Sequence, residues 1–179
     1  MQSGTIQMAQ TGQFDGAKQP LYTAEQRARR DATCWTTVQG VLAPLQFLVF
    51  AVSLTLVLRF LATDTGHGAA AVSVLIKTVV LFAIMVTGAI WEREVFGQYL
   101  FAPAFFWEDV VSMLVIALHV AYVVMFALGF GTAVTQMLVA LLAYGLYVIN
   151  AAQYLWKFRR ARLAQPEPAA GGVVAGVHA

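Results

Sequence analysis

The chain has 179 residues, 60% hydrophobic and 11% charged, with a net charge of +2 and a mean hydropathy of +0.71. Ordinary soluble domains run nearer ~45–50% apolar and ~25% charged, so this composition excludes a typical cytosolic domain, a disordered chain and a basic nucleic-acid binder. A lone cysteine, Cys34, excludes an intramolecular disulfide framework and a multi-cysteine metal site, and the length fits one integral membrane domain.

Residues 1–20, rich in Gln, Gly and Thr, carry too little apolar surface to offset the entropy of ordering and read as a disordered tail. No charged and apolar leader pattern precedes residue 38, so no cleaved signal peptide is expected. From Tyr22 to Trp35 the pattern allows a short interfacial helix, with Thr23 as N-cap and Gln26 completing a capping box. Its Arg27, Arg29 and Arg30 suit anionic lipid head groups.

Four spans follow, at about residues 38–62, 69–91, 108–129 and 132–156, because a transmembrane helix needs about 20 mostly apolar residues. Residues 32–58 and 110–156 contain no Asp, Glu, Lys or Arg, and the second run breaks at Gly129 and Gly131, which supply a turn. Hydrocarbon forces backbone groups to pair within each helix, so the expected fold is all-α: a polytopic four-transmembrane-helix bundle over residues 21–163. Lys and Arg gather before the first span and after the last, at Lys157, Arg159, Arg160 and Arg162. Both termini and the 92–107 loop are therefore expected in the cytoplasm. Residues 164–179 read as a second disordered tail, and no internal repeat occurs.

Polar groups inside a span are costly and mark function more often than in soluble proteins. Gln39 and Gln46 on the first span, Thr87 on the second, Asp109, Ser112 and His119 on the third, and Asn150 and Gln153 on the fourth all fall in the cytoplasmic half. Asp109, Ser112, Ile116 and His119 recur at helical spacing on one face, with His119 some ~15 Å deep. The convergence points to a polar pocket open to the cytoplasm beneath the 92–107 loop. Simpler roles compete: Glu108 and Asp109 suit a helix N-terminus, Glu92 and Glu94 read as interfacial charges just outside the second span, and Asn150 and Gln153 suit helix–helix bonding. Arg59 and Lys77, toward the far ends, read as snorkelling side chains. The loop holds six aromatics, Phe96, Tyr99, Phe101, Phe105, Phe106 and Trp107, which form either an interfacial belt or a lid that stacks on a large flat ligand. No phosphate loop, HExxH, CxxC or Gly-x-Ser-x-Gly motif occurs, and one intramembrane histidine is too few for bis-histidine haem.

Three stretches carry a specific resemblance: LYTAEQRARRDATCWTTVQGVLAPLQFLVF (21–50), VTGAIWEREVFGQYLFAPAFFWEDVVSMLVIALHVAY (86–122) and YVINAAQYLWKFR (147–159). Over about residues 21–163 the chain resembles the 3-vinyl bacteriochlorophyllide hydratase family. That resemblance implies an enzyme of bacteriochlorophyll synthesis, without cofactor, in the cytoplasmic or intracytoplasmic membrane of a phototrophic bacterium. It would add water across the C3 vinyl group of a magnesium chlorophyllide to give a 1-hydroxyethyl group, with membrane lipid and other enzymes of the pathway as partners.

The residues suit such chemistry. Protonating the terminal vinyl carbon leaves a cation that the macrocycle delocalises, and water adds there; a general acid in a partly desolvated carboxyl pocket is required. Asp109 or Glu108 is the first choice for the acid and Glu94 the second. Asn150 and Gln153 are placed to hold water, Trp107 to contact the ring, and His119 to act as axial ligand to the substrate's magnesium. The substrate's propionate is expected near the cytoplasmic surface, paired with Arg93 or with Arg27, Arg29 or Arg30. The competing reading is a non-catalytic tetrapyrrole-binding or assembly protein. A small transporter is disfavoured, because the far half offers only Arg59, Lys77 and Gln136.

Overall fold

The computed structural model describes residues 21–163, so both tails lie outside the described residues. A short α1 (Ala24–Ala32) precedes four long helices: α2 (Cys34–Thr63), α3 (His67–Phe96), α4 (Phe106–Ala127) and α5 (Ala133–Leu163). All four are long and apolar enough to cross a membrane. No strand is present among the described residues.

The helices pair into two hairpins, α2 with α3 and α4 with α5, and the hairpins touch each other more sparingly than their own members do. Residues 64–66 turn the first hairpin, with Asp64 (φ 55°) and Gly66 (φ 84°) both left-handed. The second turns at Gly129 (φ 62°) and Gly131 (φ 77°), as the two glycines suggested, because glycine adopts positive φ without a Cβ clash. Gln136 braces that turn by donating to the Phe130 and Met125 carbonyls.

The outer surface carries exposed Val, Leu, Ile and Phe along all four long helices, as a lipid-facing surface requires. Inside, Phe50, Val57, Val74, Tyr122, Met137 and Tyr144 form the main core. Polar bonds staple the helices: Gln39 to Thr87 at 2.7 Å, Ser53 to both Ser73 (2.8 Å) and Tyr144 (2.6 Å), and Asn150 to Ser112 at 2.6 Å. Such bonds are retained because hydrocarbon offers no water in exchange.

α1 begins with the expected capping box: Gln26 donates its backbone N–H to the Thr23 hydroxyl, and its side chain accepts from the Thr23 N–H. It ends at Ala32, earlier than the interfacial helix read to Trp35, because Thr33 turns extended and caps α2. The spans also run longer than expected at several ends. Most consequential is α3, which continues past Trp91 to Phe96 and stops at Gly97, left-handed at φ 86°. Glu92, Arg93 and Glu94 are therefore helical rather than part of a loop, and the connection to α4 shrinks to residues 97–105.

Candidate functional site

The 97–105 connection folds back over the ends of α3, α4 and α5, held at three backbone points. Asp109 accepts the Phe101 N–H at 2.7 Å, Glu92 accepts the Ala102 N–H at 3.3 Å, and the Lys157 ammonium donates to the Ala104 carbonyl. Phe101 adopts φ 60°, a left-handed conformation that costs a non-glycine residue roughly 1–2 kcal/mol. That strain is offset by the bond to Asp109. Below the loop Phe105 is buried, its ring stacked on Tyr154 and edge-on to Trp91 and Phe96, each at 5.8 Å. Tyr22, delivered by α1, completes this aromatic cluster, and burial pushes its hydroxyl up to about 12, so it stays neutral.

Under that roof two acidic side chains meet. Glu92 from α3 and Asp109 from α4 are both buried, and their carboxyl groups lie within hydrogen-bonding reach of each other. Tyr154 from α5 donates to the second oxygen of Asp109 at 3.4 Å. Three helices thus contribute to one carboxyl pair. Glu108, one residue away, is committed elsewhere: it forms an ion pair with Lys157 at the margin of the roof.

A second polar layer lies deeper. Asn150 donates to Ser112, which leaves its own Oδ1 buried without a partner, as is Oε1 of Gln153. One to two turns further, His119 bonds the Val115 carbonyl through Nδ1 at 2.8 Å. A carbonyl only accepts, so Nδ1 carries the proton and Nε2 keeps a bare lone pair, the form that ligates a metal. That Nε2 is buried and unpartnered. Lys77 is 0% exposed, with Nζ 3.9 Å from the centre of the Tyr147 ring and no hydrogen-bond partner among the described residues. Gln46, whose amide is wholly unpartnered, and the Tyr122 hydroxyl add to the same group of unsatisfied buried atoms.

The expected stripe on α4 is present: Asp109, Ser112 and His119 all point inward, with Ile116 half-buried beside them. The remaining candidates lie elsewhere. Glu94 is exposed and bonds the Thr33 hydroxyl, holding α3 to the start of α2. Arg93 is exposed and stacks over Tyr99 at 4.6 Å. Trp107 is 70% exposed on the outer side of α4, with only Phe106 against its ring, and faces away from the carboxyl pair.

Two readings require correction. Glu92 is no interfacial charge; it is buried, because α3 continues and residue 92 lies five turns from Val74 on the inner face. Lys77 does not snorkel, since its amine turns inward onto Tyr147, whereas Arg59 is exposed. Carrying the apolar periodicity of α3 past Trp91 would have placed Glu92 and Val95 inside. The inward turn of Lys77 has no local signal, because it depends on an aromatic face from α5.

No group of three or more His, Cys, Asp or Glu side chains suited to a metal ion occurs among the described residues. Known proteins share this arrangement of sequence. A protein named 2-vinyl bacteriochlorophyllide hydratase from Rhodobacter capsulatus is 62% identical over 159 residues, which cover 88% of this chain and 92% of the relative. One of the same name from Cereibacter sphaeroides is 69% identical over 144 residues, covering 80% and 89% respectively. No solved structure matches the chain. The family profile described as 2-vinyl bacteriochlorophyllide hydratase (BCHF) matches residues 22–160, nearly the whole membrane domain and every buried polar group above, and the chain belongs to that family.

Proposed function

We propose that this protein adds water to the C3 vinyl group (position 2 in the older ring numbering) of a chlorophyllide-type magnesium tetrapyrrole. The product is the 1-hydroxyethyl pigment of bacteriochlorophyll synthesis. The observation that carries this reading is the buried Glu92–Asp109 pair. Two carboxyl groups in contact need a proton between them, and that proton is the one the reaction requires.

The pair gives its proton to the terminal vinyl carbon, and the π electrons of the vinyl group form the new C–H bond. The positive charge on the carbon next to the ring spreads into the macrocycle. Water attacks that carbon and returns a proton to the carboxyl pair, so the net change is one added water and no cofactor is consumed. Asn150 Oδ1 and Gln153 Oε1, both acceptors without partners, suit the orientation of the attacking water. His119 Nε2 suits an axial bond to the pigment's magnesium. Glu108, paired with Lys157, serves the roof rather than the proton transfer. The setting is the cytoplasmic or intracytoplasmic membrane of a phototroph, with the roofed end toward the cytoplasm.

The test is mass spectrometry of pigment incubated with membranes from a non-phototrophic host that makes this protein. Wild type should add one water, with its oxygen drawn from 18O-labelled solvent. Asp109→Asn and Glu92→Gln should each lower turnover by about 100-fold or more, the range general acid catalysis contributes. Unchanged pigment co-purifying with folded wild-type protein would sink the hydratase reading in favour of a binding protein. Normal rates in both variants would sink the carboxyl assignment alone.

A further inference from the structure

The two carboxyl groups under the roof are in contact but are not equivalent. Both oxygens of Asp109 are engaged: Oδ2 accepts the Phe101 N–H at 2.7 Å, and Oδ1 accepts the Tyr154 hydroxyl at 3.4 Å. Glu92 receives one bond, from the Ala102 N–H to Oε2 at 3.3 Å, and no donor among the described residues serves its Oε1. The tyrosine is itself braced. Asn150 donates to Ser112 at 2.6 Å, and Ser112 stands beside the Tyr154 hydroxyl. With Asn150 donating into it, the Ser112 hydroxyl has its own proton to give to the Tyr154 oxygen, so three side chains direct their donors toward Asp109.

The helix ends act in the same sense. Asp109 lies in the first turn of α4, where unpaired backbone N–H groups favour a negative charge. Glu92 lies four residues before the last residue of α3, about 6 Å along the axis from its carbonyl end, where a negative charge is disfavoured. Close by, Glu108 is neutralised by Lys157, and Glu94 is exposed and turned to Thr33. Donors that favour the charged form of a carboxyl group hold it ionised. Donor placement and helix polarity therefore put the negative charge on Asp109 and leave the proton to Glu92.

Resting on the hydratase reading, we propose that Glu92 carries the shared proton and is the general acid, and that Tyr154, braced by Ser112 and Asn150, is a positioning residue that keeps Asp109 as the anion accepting the proton of the attacking water. The Glu92 O–H bond breaks as the π electrons of the vinyl group form the terminal C–H bond. Water then bonds the carbon next to the ring and gives its proton to Asp109. That proton crosses from Asp109 to Glu92 through their contact and restores the starting state, so each turnover consumes one water and nothing else. This division reverses the expectation from sequence, in which Asp109 is a first choice for the acid and Glu92 has no part.

The proton can be located without turnover. Infrared spectra of full-length protein in lipid nanodiscs, made with carboxyl-13C glutamate or carboxyl-13C aspartate, show which side chain owns the C=O band of a protonated carboxyl group. At neutral pH that band should move with the glutamate label, ignore the aspartate label and vanish in Glu92→Gln. Movement with the aspartate label, absence of the band, or its survival in Glu92→Gln overturns the proposal. Tyr154→Phe keeps the ring that stacks on Phe105 and removes one donor to Asp109. The band should then shift toward the aspartate label, and kcat should fall about tenfold with KM unchanged, as loss of a hydrogen bond to a charged group implies. An unchanged band there overturns the role of Tyr154. In D2O, Asp109→Asn should still exchange deuterium into the terminal vinyl carbon, whereas exchange in Glu92→Gln overturns the assignment of the acid. Wild type that shows the glutamate band but takes up no 18O sinks the hydratase reading alone.

Discussion

Among single residues, His119 makes a claim that can be isolated. Its Nδ1 is spent on the Val115 carbonyl, so only Nε2 is free to bond a metal. His119→Ala should weaken binding of the magnesium pigment by about tenfold or more while leaving the magnesium-free pigment almost unaffected, since a ligand bond exists only with the metal. Equal losses for both pigments would assign His119 to packing against Tyr144, whose ring lies 5.8 Å away. The sequence makes Asp109 and His119 visible because polar groups inside an apolar run are conspicuous. It hides Glu92 because a carboxylate one residue past an expected helix end looks like surface. Arg93 and Trp107 show the converse: a charged or aromatic residue beside a site in sequence can sit on the opposite face in space.

At the level of elements, the spans, the glycine turn and the capping box follow directly from composition and local rules. The path of residues 97–105 does not. Gly97 and Pro103 announce that the helices stop there, but the fold-back depends on Asp109, Glu92 and Lys157 reaching across to backbone atoms of the loop. Phe105 anchors it. Truncating a buried phenylalanine typically costs about 3–5 kcal/mol. Phe105→Ala should therefore loosen the roof while leaving the four long helices intact, seen as faster amide exchange at Phe101 and Ala102 with unchanged helical circular dichroism. The roof is also why one aromatic of the loop acts as a plug while Tyr99, Phe101, Phe106 and Trp107 remain exposed and fit the interfacial belt.

For the molecule as a whole, four apolar spans are plain in the sequence, whereas their pairing as two hairpins is not, since lateral packing leaves no mark on hydropathy. Orientation is directly testable, because Cys34 is the only cysteine in the chain and is exposed at the start of α2. A membrane-impermeant maleimide should label it in inverted vesicles and spare it in intact spheroplasts; the reverse pattern would turn the bundle over and move the roof to the other face.

Between α3 and α4 an apolar groove, lined by Leu75, Val79 and Phe82 on one side and Val120, Val123 and Val124 on the other, opens sideways along faces that meet lipid. For a pigment taken up through that seam, hydrocarbon rather than water is the reservoir, and the concentration that governs occupancy is a mole fraction within the bilayer. Extra lipid then dilutes the substrate even when the aqueous volume is fixed, so apparent saturation follows the pigment-to-lipid ratio. The hydroxylated product, released by the same route, stays in the plane of the membrane, and its encounter with the next enzyme becomes a two-dimensional search.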